Sequence, residues 1–412
     1  MTTTTPTGGE PILLAFSGGL DTSFCVPWLK ETYGRPVITV MVDTGGIDAD
    51  GAKTLSVRAA QLGAVEHHLI DARADYFDKV LKFLIMGNVR RGQLYPLCVG
   101  AERVLQAQVI AQMALQLKTK MVAHGCTAAG NDQVRFEVAL RTLAPELEII
   151  APVRDRAFKR PEQLKYLQDH QLPIPPYGAA YSVNRGLWGV TIGGKETLTS
   201  AGSIPEDAWV LSKDAFTKPR PEAHHTLGFK LGVPSSLDGV QLDPVSIIEQ
   251  LETLAGPFGI GRGIHLGDTV IGTKGRVAFE APAAEVLLNA HRELEKLVLT
   301  GKQARIKESV AQPYGDLVHE GQHLDPVCRD IEALLLSSQA RVTGDVHLLF
   351  RPGSLFVEGV TSPYSMMAAS KGVYGEAAGE WTPTDALGYS KMLALSGIFH
   401  KRAGASPGVV KS

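Results

Sequence analysis

Short apolar runs alternate with helical patterns over the first part of the chain. Residues 11–16 and 36–42 are apolar, and each run ends in a cluster of glycine and polar residues, which is typical of buried parallel strands. A third short strand is predicted at residues 121–123. Apolar residues recur at helical spacing between the strands, and helices are predicted over residues 22–33, 53–62 and 99–117. This order predicts a doubly wound α/β domain.

Glycine-rich polar loops follow three of these predicted strands. They are residues 17–23 (Ser-Gly-Gly-Leu-Asp-Thr-Ser), residues 43–46 (Asp-Thr-Gly-Gly) and residues 124–137 (His-Gly-Cys-Thr-Ala-Ala-Gly-Asn-Asp-Gln-Val-Arg-Phe-Glu). In a doubly wound sheet, ligands bind at the carboxyl ends of the parallel strands. We therefore expect all three loops to open onto one edge of the sheet.

Prolines in residues 172–176 end a helix predicted over residues 161–170 and mark the end of the first domain. From residue 180 onward, short alternating segments at 181–192 and 225–231 predict an antiparallel sheet. The later elements predicted are helices over residues 283–299 and 325–338, a hairpin of residues 341–350 and 354–360, and a C-terminal helix over residues 386–401.

The chain has 412 residues, of which 44% are hydrophobic and 20% charged, a length that suits two or three domains. Its 41 Lys and Arg residues balance 43 Asp and Glu residues, for a net charge of −2. No polycationic surface is therefore expected to hold nucleic acid, and small molecules are the expected partners.

The cysteines Cys25, Cys98, Cys126 and Cys328 are far apart and form no CxxC pair, so we expect neither a zinc site nor a disulfide framework. Residues 1–10 lack the basic and apolar stretches of a secretory signal. No apolar run approaches the roughly 20 residues that span a bilayer. These features predict a soluble, cytoplasmic protein that binds no membrane.

The first loop has the chemistry of a pyrophosphate site. Its two glycines let backbone N–H groups approach an anion closely, and a predicted helix begins behind them. The loop lacks the GxxxxGK[ST] spacing of kinases and GTPases. The alternative is a tight strand-to-helix turn that is merely capped by Asp21 or Thr22. The loop resembles the SGGxD(S/T)S signature of the N-type ATP pyrophosphatases, and this resemblance implies that ATP is cleaved between its α- and β-phosphates and that Asp21 helps to hold Mg²⁺.

The third loop could be a helix-capping loop, with Asn131 or Asp132 as N-cap and Arg135 paired to Glu137 or facing solvent. Its sequence, however, closely resembles the HG(A/C)TGKGNDQVRFE motif of argininosuccinate synthases. The resemblance extends from about Leu13 to Gly388 and includes Gly261-Arg262-Gly263 and residues 382–388 (Thr-Pro-Thr-Asp-Ala-Leu-Gly).

The resemblance implies an ATP-dependent ligase of arginine biosynthesis that joins citrulline to aspartate through a citrullyl adenylate and releases AMP and pyrophosphate. It implies an ATP-binding domain (1–172), an α+β synthetase domain (173–365) and a C-terminal tail and helix for oligomerisation (366–412), in a homotetramer.

The resemblance also assigns site residues. The residues that would contact ATP are Ala15, Phe16, Ser17, Gly18, Gly19, Leu20, Asp21, Thr22, Ser23, Val42 and Gly125. The residues that would bind the two other substrates are Tyr95, Gly100, Thr127, Asn131, Asp132, Arg135, Ser182, Thr191, Gly267 and Phe279. Asp21, Asp132 and Arg135 would be catalytic, and Asp21 would be the metal ligand.

Several positions depart from the family pattern. Ala128-Ala129 replaces Gly-Lys, which removes a cation beside anionic substrates. Gly100 and Thr191 stand where Ser is usual, Gly267 where Glu is usual and Phe279 where Tyr is usual. One interpretation is that other residues compensate, such as Asp268 or His265 for the lost Glu. The other is that the acceptor is an N-acylated citrulline, whose nitrogen carries no charge.

Other functions are compatible with the first loop. A tRNA-thiolating enzyme should show a basic surface and sulfur-carrying cysteines, and glutamine-dependent synthetases should bring or recruit an amidotransferase; the sequence indicates neither. Ala128-Ala129 and the altered pocket would suit a nucleotide-binding sensor that has lost catalysis, whereas the intact Asp21, Asp132 and Arg135 argue against a sensor.

Overall fold

Five parallel strands in the order β3-β2-β1-β4-β5 form the first sheet of the computed structural model. The structure describes residues 9–175, 181–218, 220–370 and 379–405. The described chain divides into two compact units, one up to Pro363 and the other from Tyr364 onward. The first unit contains all three sheets.

The strands are β1 Ile12–Ala15, β2 Val37–Asp43, β3 Glu66–Asp71, β4 Met121–His124, β5 Glu148–Ile150, β6 Ser182–Gly186, β7 Gly189–Gly193, β8 Ala223–Lys230, β9 Val233–Leu237, β10 Val240–Gln241, β11 Arg262–Asp268, β12 Lys274–Glu280, β13 Gly344–Arg351 and β14 Ser354–Thr361. The α-helices are α1 Leu20–Tyr33, α2 Ala49–Gln61, α3 Arg73–Tyr76, α4 Lys82–Gly87, α5 Arg103–Leu117, α6 Asp132–Leu143, α7 Pro152–Asp155, α8 Arg160–Asp169, α9 Pro244–Ala255, α10 Pro282–Val298, α11 Gly301–His319, α12 Pro326–Ser338, α13 Met366–Ala369 and α14 Pro383–Gly404.

The parallel sheet confirms the predicted doubly wound domain. Strand β1 lies at the centre and pairs with β2 and β4, with Ala15 opposite Val40 and His124. The predicted strands and helices of this domain are all present. Two strands were not predicted. Edge strand β3 reads Glu-His-His-Leu-Ile-Asp and is too polar for a buried run, and β5 has only 3 residues.

Two antiparallel sheets follow, in the orders β11-β12-β7-β6 and β10-β9-β8-β13-β14. They confirm the predicted change of architecture, including the hairpin that is observed as β13 and β14. Helix α11 was not predicted, because much of it is polar and Pro313 lies inside it. Pro176 and Ala180 of the predicted boundary region lie outside the described residues, and the boundary at residue 172 stays a prediction.

The C-terminal unit contains α13 and α14. Helix α14 confirms the predicted C-terminal helix, and it begins with a capping box in which Thr382 Oγ1 accepts from Asp385 N at 3.3 Å. Among the described helices, none is long and apolar enough to cross a membrane.

Candidate functional site

A cavity of about 620 Å³ lies at the carboxyl ends of β1, β2 and β4, as predicted from the three loops. That volume is in the range of small-molecule sites. Strand β6 of the second sheet lines its other side, and the backbone N–H of Leu187 donates to Thr44 O at 2.9 Å. The predicted site residues that line this cavity are Ala15, Phe16, Ser17, Gly19, Leu20, Asp21, Thr22, Val42, Gly125, Asp132 and Ser182.

The first loop is closed by its own hydroxyl groups. Thr22 Oγ1 donates to Gly19 O at 3.3 Å and accepts from Ser17 N at 3.3 Å. Gly18 has φ of 73°, a left-handed conformation that favours glycine, and its carbonyl accepts from Arg58 Nη1 at 2.8 Å. Gly19 is the N-cap of α1, with no side-chain cap. Neither Asp21 nor Thr22 therefore caps α1 as the alternative supposed, although Thr22 does close the turn, and phosphate binding by this loop stays a prediction.

The approach of β4 to the first loop requires glycine. A β-carbon on Gly125 would lie 2.9 Å from Thr22 Cγ2 and 3.1 Å from Thr22 N. Two backbone segments thus meet at the start of α1, where helix N–H groups are free to bind phosphate oxygens. This cradle fits the phosphates of ATP.

The residues around Asp21 also fit a hydrated Mg²⁺. Gln163, which is 1% exposed, donates from Nε2 to Asp21 Oδ1 at 2.9 Å. Within the described residues, Gln163 Oε1 is buried and has no hydrogen-bond partner. A carboxylate and an amide oxygen are suitable partners for a hard cation and its water molecules.

Asp132, at the first turn of α6, lies between two guanidinium groups. Its Oδ1 accepts from Arg135 Nη1 at 2.7 Å, and its Oδ2 accepts from Arg103 Nε at 3.0 Å. Burial by itself would raise the pKa of Asp132, but Arg103 and Arg135 outweigh burial and lower it to about 2. Asp132 is therefore a fixed negative charge at neutral pH, able to receive an ammonium group.

A second carboxylate, Glu102, adjoins Asp132 through Arg103. Glu102 accepts from Arg103 Nη1 at 2.7 Å and from Thr44 Oγ1 at 2.7 Å. Burial raises the pKa of this carboxyl group to about 7, against the opposing effect of Arg103 and Thr44. Arg103 thus binds two carboxyl groups in this cavity. The pKa of one, Asp132, is lowered, and the pKa of the other, Glu102, is raised.

Arg135 is anchored on the second sheet's side of the site by His319. Its Nε donates to His319 O at 2.7 Å, and its Nη2 donates to His319 Nδ1 at 3.3 Å. Burial and the nearby Arg135 lower the pKa of His319 to about 3, so the imidazole accepts this bond as a neutral ring. The alternative that paired Arg135 with Glu137 or solvent is wrong, because Arg135 is 5% exposed and bound to Asp132 and His319.

Asn131 is not a capping residue either. It occupies the N-cap position of α6, but its side chain does not bond to the helix. Its Oδ1 instead accepts from Val270 N at 2.9 Å, on the loop between β11 and β12. Asn131, Asp132 and Arg135 therefore form a junction between the parallel sheet and the β11 hairpin.

A smaller cavity of about 200 Å³ lies beyond this junction and shares Asp132 with the large cavity. The predicted residues that line it are Tyr95, Gly100, Asn131, Asp132, Arg135, Thr191 and Gly267. Phe279 lies behind the lining, 2% exposed, with its ring 5.2 Å from that of Tyr95. Thr127 is exposed and is not among the lining residues of either cavity.

His265 occupies the space beside Gly267. A β-carbon on Gly267 would lie 2.5 Å from His265 Nε2, and the imidazole is stacked on Tyr95 with the ring centres 5.4 Å apart. The other suggested replacement for the lost Glu, Asp268, is paired with Lys274 at 2.5 Å. His265, rather than Asp268, therefore fills the altered end of the small cavity.

Comparisons with known proteins agree with this architecture. Residues 11–173 match the family model described as "Arginosuccinate synthase N-terminal HUP domain", and residues 181–399 match "Arginosuccinate synthase C-terminal domain". The argininosuccinate synthase of Xanthomonas campestris is 40% identical over 397 residues, covering 95% of this chain and 98% of the relative. Those of Methanocaldococcus jannaschii and Dictyoglomus turgidum are 38% and 36% identical, covering 86% and 96% of this chain and 89% and 98% of each relative.

The parallel sheet and its loops thus define a HUP-domain protein. With both family models matched, the chain belongs to the argininosuccinate synthase family, and the predicted resemblance is confirmed.

Several residues of the site were not predicted from the sequence. They are Glu102, Arg103, Arg160, Gln163 and His319. Glu102-Arg103 gave one usable signal, because a charged pair interrupts an apolar segment at the start of α5. The others lie far along the chain from the loops they contact, so only the fold brings them together.

Proposed function

We propose that this protein catalyses the family's two-step ligation, with citrulline as the acceptor, aspartate as the amino donor and Mg-ATP as the energy source. The ureido oxygen of the acceptor attacks the α-phosphorus of ATP, and pyrophosphate leaves. The aspartate amine then attacks the ureido carbon of the adenylate and displaces AMP, which gives argininosuccinate for arginine biosynthesis.

One observation carries this proposal: Asp132 lies on the border of two cavities. The large cavity contains the phosphate cradle, and the small one contains Tyr95, Arg135 and His265. An acceptor held in the small cavity would direct its ureido group towards the nucleotide, and Asp132 can receive the donor's ammonium group. Reactions of this kind depend on positioning and charge neutralisation more than on a nucleophilic side chain.

Mg²⁺, when bound, would neutralise charge on the leaving pyrophosphate, and Asp21 is the proposed ligand. Gln163 holds one of the Asp21 oxygens, so the other can face the cation. The hydroxyl groups of Ser17 and Thr22 and the N–H groups at the start of α1 would bind the phosphate oxygens.

The test is to supply purified protein with Mg-ATP, aspartate and citrulline, to follow pyrophosphate release and to identify products by mass spectrometry. Argininosuccinate formed at an ordinary enzymatic rate, about 1 s⁻¹ or more, would support the proposal. A nucleotide sensor would bind ATP and show no isotope exchange between pyrophosphate and ATP, and that result would refute the ligase.

The His265 side chain favours a second candidate acceptor, an N-acylated citrulline. At the altered end of the small cavity a neutral imidazole, that of His265, fills the space beside Gly267, and the nearby Asp268 is paired with Lys274. With Asp132 assigned to the aspartate amine, no unengaged carboxylate among the described lining residues is left for the α-ammonium group of citrulline. Acetyl-citrulline and succinyl-citrulline belong in the same assay. A higher kcat/KM for either than for citrulline would select this candidate, and the reverse order would exclude it.

We also propose a cytoplasmic homotetramer. Its support is twofold: the four cysteines are all free thiols, which suits a reducing compartment, and α14 exposes large apolar side chains, including Leu387, Tyr389, Met392 and Leu393. An apolar helix of this kind gains stability when another subunit covers it.

A further inference from the structure

Helix α8 packs directly against α1, the helix that begins at the phosphate cradle. The Phe24 ring contacts Phe158 and Tyr166 edge to face, with ring centres 4.9 and 5.2 Å apart. The first turn of α8 is closed by a 2.6 Å hydrogen bond from Lys159 N to Glu162 Oε2. Aromatic packing and the closed first turn fix the beginning of α8 beside the cradle.

Two side chains of this first turn point to the pyrophosphate end of the site. Gln163 is bound to Asp21, and its own amide oxygen is the buried acceptor without a partner in the described chain. Arg160 lines the same cavity as Ser17 and Asp21. Together they add a second oxygen acceptor, beside the Asp21 carboxylate, and a cation to the N–H and hydroxyl groups of the cradle.

Arg160 differs from the other arginines that line the cavity. Arg103 is held by Glu102 and Asp132, at 2.7 and 3.0 Å, and Arg185 is held by Glu252 at 2.5 Å. Across the described residues, no carboxylate lies within ion-pair distance of Arg160. Its charge is therefore available for a ligand, while the charges of Arg103 and Arg185 are already engaged.

A leaving pyrophosphate carries several negative charges. The first loop contains no Lys or Arg, and neither does Ala128-Ala129 in the third loop. Guanidinium groups bind phosphate oxygens with two parallel N–H donors, which adds both charge and geometric selectivity. Arg58 donates to Gly18 O but does not line the cavity, so the unpaired cation among the described residues that line it is Arg160, on a helix outside the three strand-end loops.

We infer that Arg160 binds the pyrophosphate end of ATP and that Gln163 positions Asp21 beside it. This inference rests on the proposed function, since it concerns the nucleotide of that reaction. Arg160 contacts the leaving group and is assigned a catalytic role. Gln163 acts through Asp21 and is a positioning residue.

Isothermal titration calorimetry with magnesium pyrophosphate tests Arg160 without requiring turnover. Arg160→Ala should weaken binding by about ten- to a hundredfold, the range expected for a lost charge-assisted contact, and Arg160→Lys should recover part of the loss. Arg156→Ala is the matched control. The substitution removes the same charge, and Arg156 is exposed and does not line the cavity. Equal binding by Arg160→Ala and Arg156→Ala would overturn the inference.

The same titration at several Mg²⁺ concentrations tests Gln163. Gln163→Leu should need more Mg²⁺ for half-maximal pyrophosphate binding, whereas Gln168→Leu, on the exposed part of α8, should not. An unchanged Mg²⁺ requirement in a folded Gln163→Leu protein would remove Gln163 from the proposal. If the wild type binds pyrophosphate but makes no product from any acceptor, the proposed function fails while the comparison of Arg160 and Arg156 still decides the inference.

Discussion

Thr44 donates a 2.7 Å hydrogen bond to Glu102, whose side chain is almost entirely buried. The bond joins the loop after β2 to the start of α5 and leaves no room for a side chain at Gly186, since a β-carbon there would collide with Glu102 Oε2. Gln106 Nε2 donates to the same Thr44 hydroxyl at 3.1 Å. The carboxylate is thus built into the packing between the two halves of the site.

Glu102→Gln should flatten the pH dependence of stability. The pKa of Glu102 is about 7 in the folded protein against 4.5 for a free Glu, so the folded state binds the proton more tightly than the unfolded chain. Its contribution to the free energy of unfolding therefore falls as pH rises from 4.5 to 7. Urea unfolding between pH 4.5 and 8 measures this slope. The exposed Glu146→Gln variant should keep the wild-type slope, and an equally steep slope in Glu102→Gln would contradict the assignment.

Asp132→Asn should raise KM for aspartate far more than KM for ATP. The substitution removes the charge proposed to receive the ammonium group and leaves Arg103 and Arg135 without their shared partner, so we expect a loss of about a hundredfold in kcat/KM for aspartate. Because the pKa of Asp132 is about 2, wild-type activity should show no acid limb from this residue between pH 5 and 8. Steady-state kinetics over that range check both points; equal increases in the two KM values would exclude a selective role.

Gly267→Ala should lower kcat/KM for the acceptor and leave ATP binding unchanged, because the new methyl group would collide with His265 Nε2. The loss of kcat/KM should be smaller in a His265→Ala background, where the imidazole is absent. A double-mutant cycle on kcat/KM for the acceptor measures this coupling. Additive effects of the two substitutions would show that His265 does not set the shape of this pocket.

Lys307→Met should destabilise the protein by about 3 to 5 kcal/mol, since removing one partner of a buried ion pair leaves the other uncompensated. Lys307 is 3% exposed and contacts Glu295 at 2.7 Å and Met86 O at 2.7 Å. The exposed Lys302→Met is the control. Urea denaturation gives both values, and similar midpoints for the two variants would contradict the expected cost.

Leu393→Glu should lower the mass of the assembly in solution. The substitution places a charge among the exposed apolar side chains of α14, where Leu393 is 69% exposed. Light scattering after size-exclusion chromatography should give a tetramer for the wild type and a smaller species for the variant. The exposed Ser390→Glu serves as control, and a monomeric wild type would refute the proposed tetramer.

The parallel sheet was predictable because its strands are short apolar runs bounded by glycine, and each run can be recognised locally. Edge strand β3 and helix α11 were not, since their polar sequences acquire order only from the neighbours they pack against. The intrinsic helix or strand propensities of single residues give little information about secondary structure at such positions.

The site was predictable as far as its loops carried a long motif. Asp132 and Arg135 lie within one motif, and the structure brings them together. His319 contacts Arg135 from the end of α11, and Gln163 contacts Asp21 from α8. These partners have no local signal, because their roles depend on distances between elements that are remote in sequence.

Strand β6 lines the large cavity, and the turn that follows it is joined to the loop after β2 by the hydrogen bond from Leu187 N to Thr44 O. A fragment that ended after β5 would keep the first loop but would lack β6, so its cavity would be open on that side. A ligand bound between β6 and the strand-end loops would contact both. Its binding should therefore stabilise the first unit against unfolding.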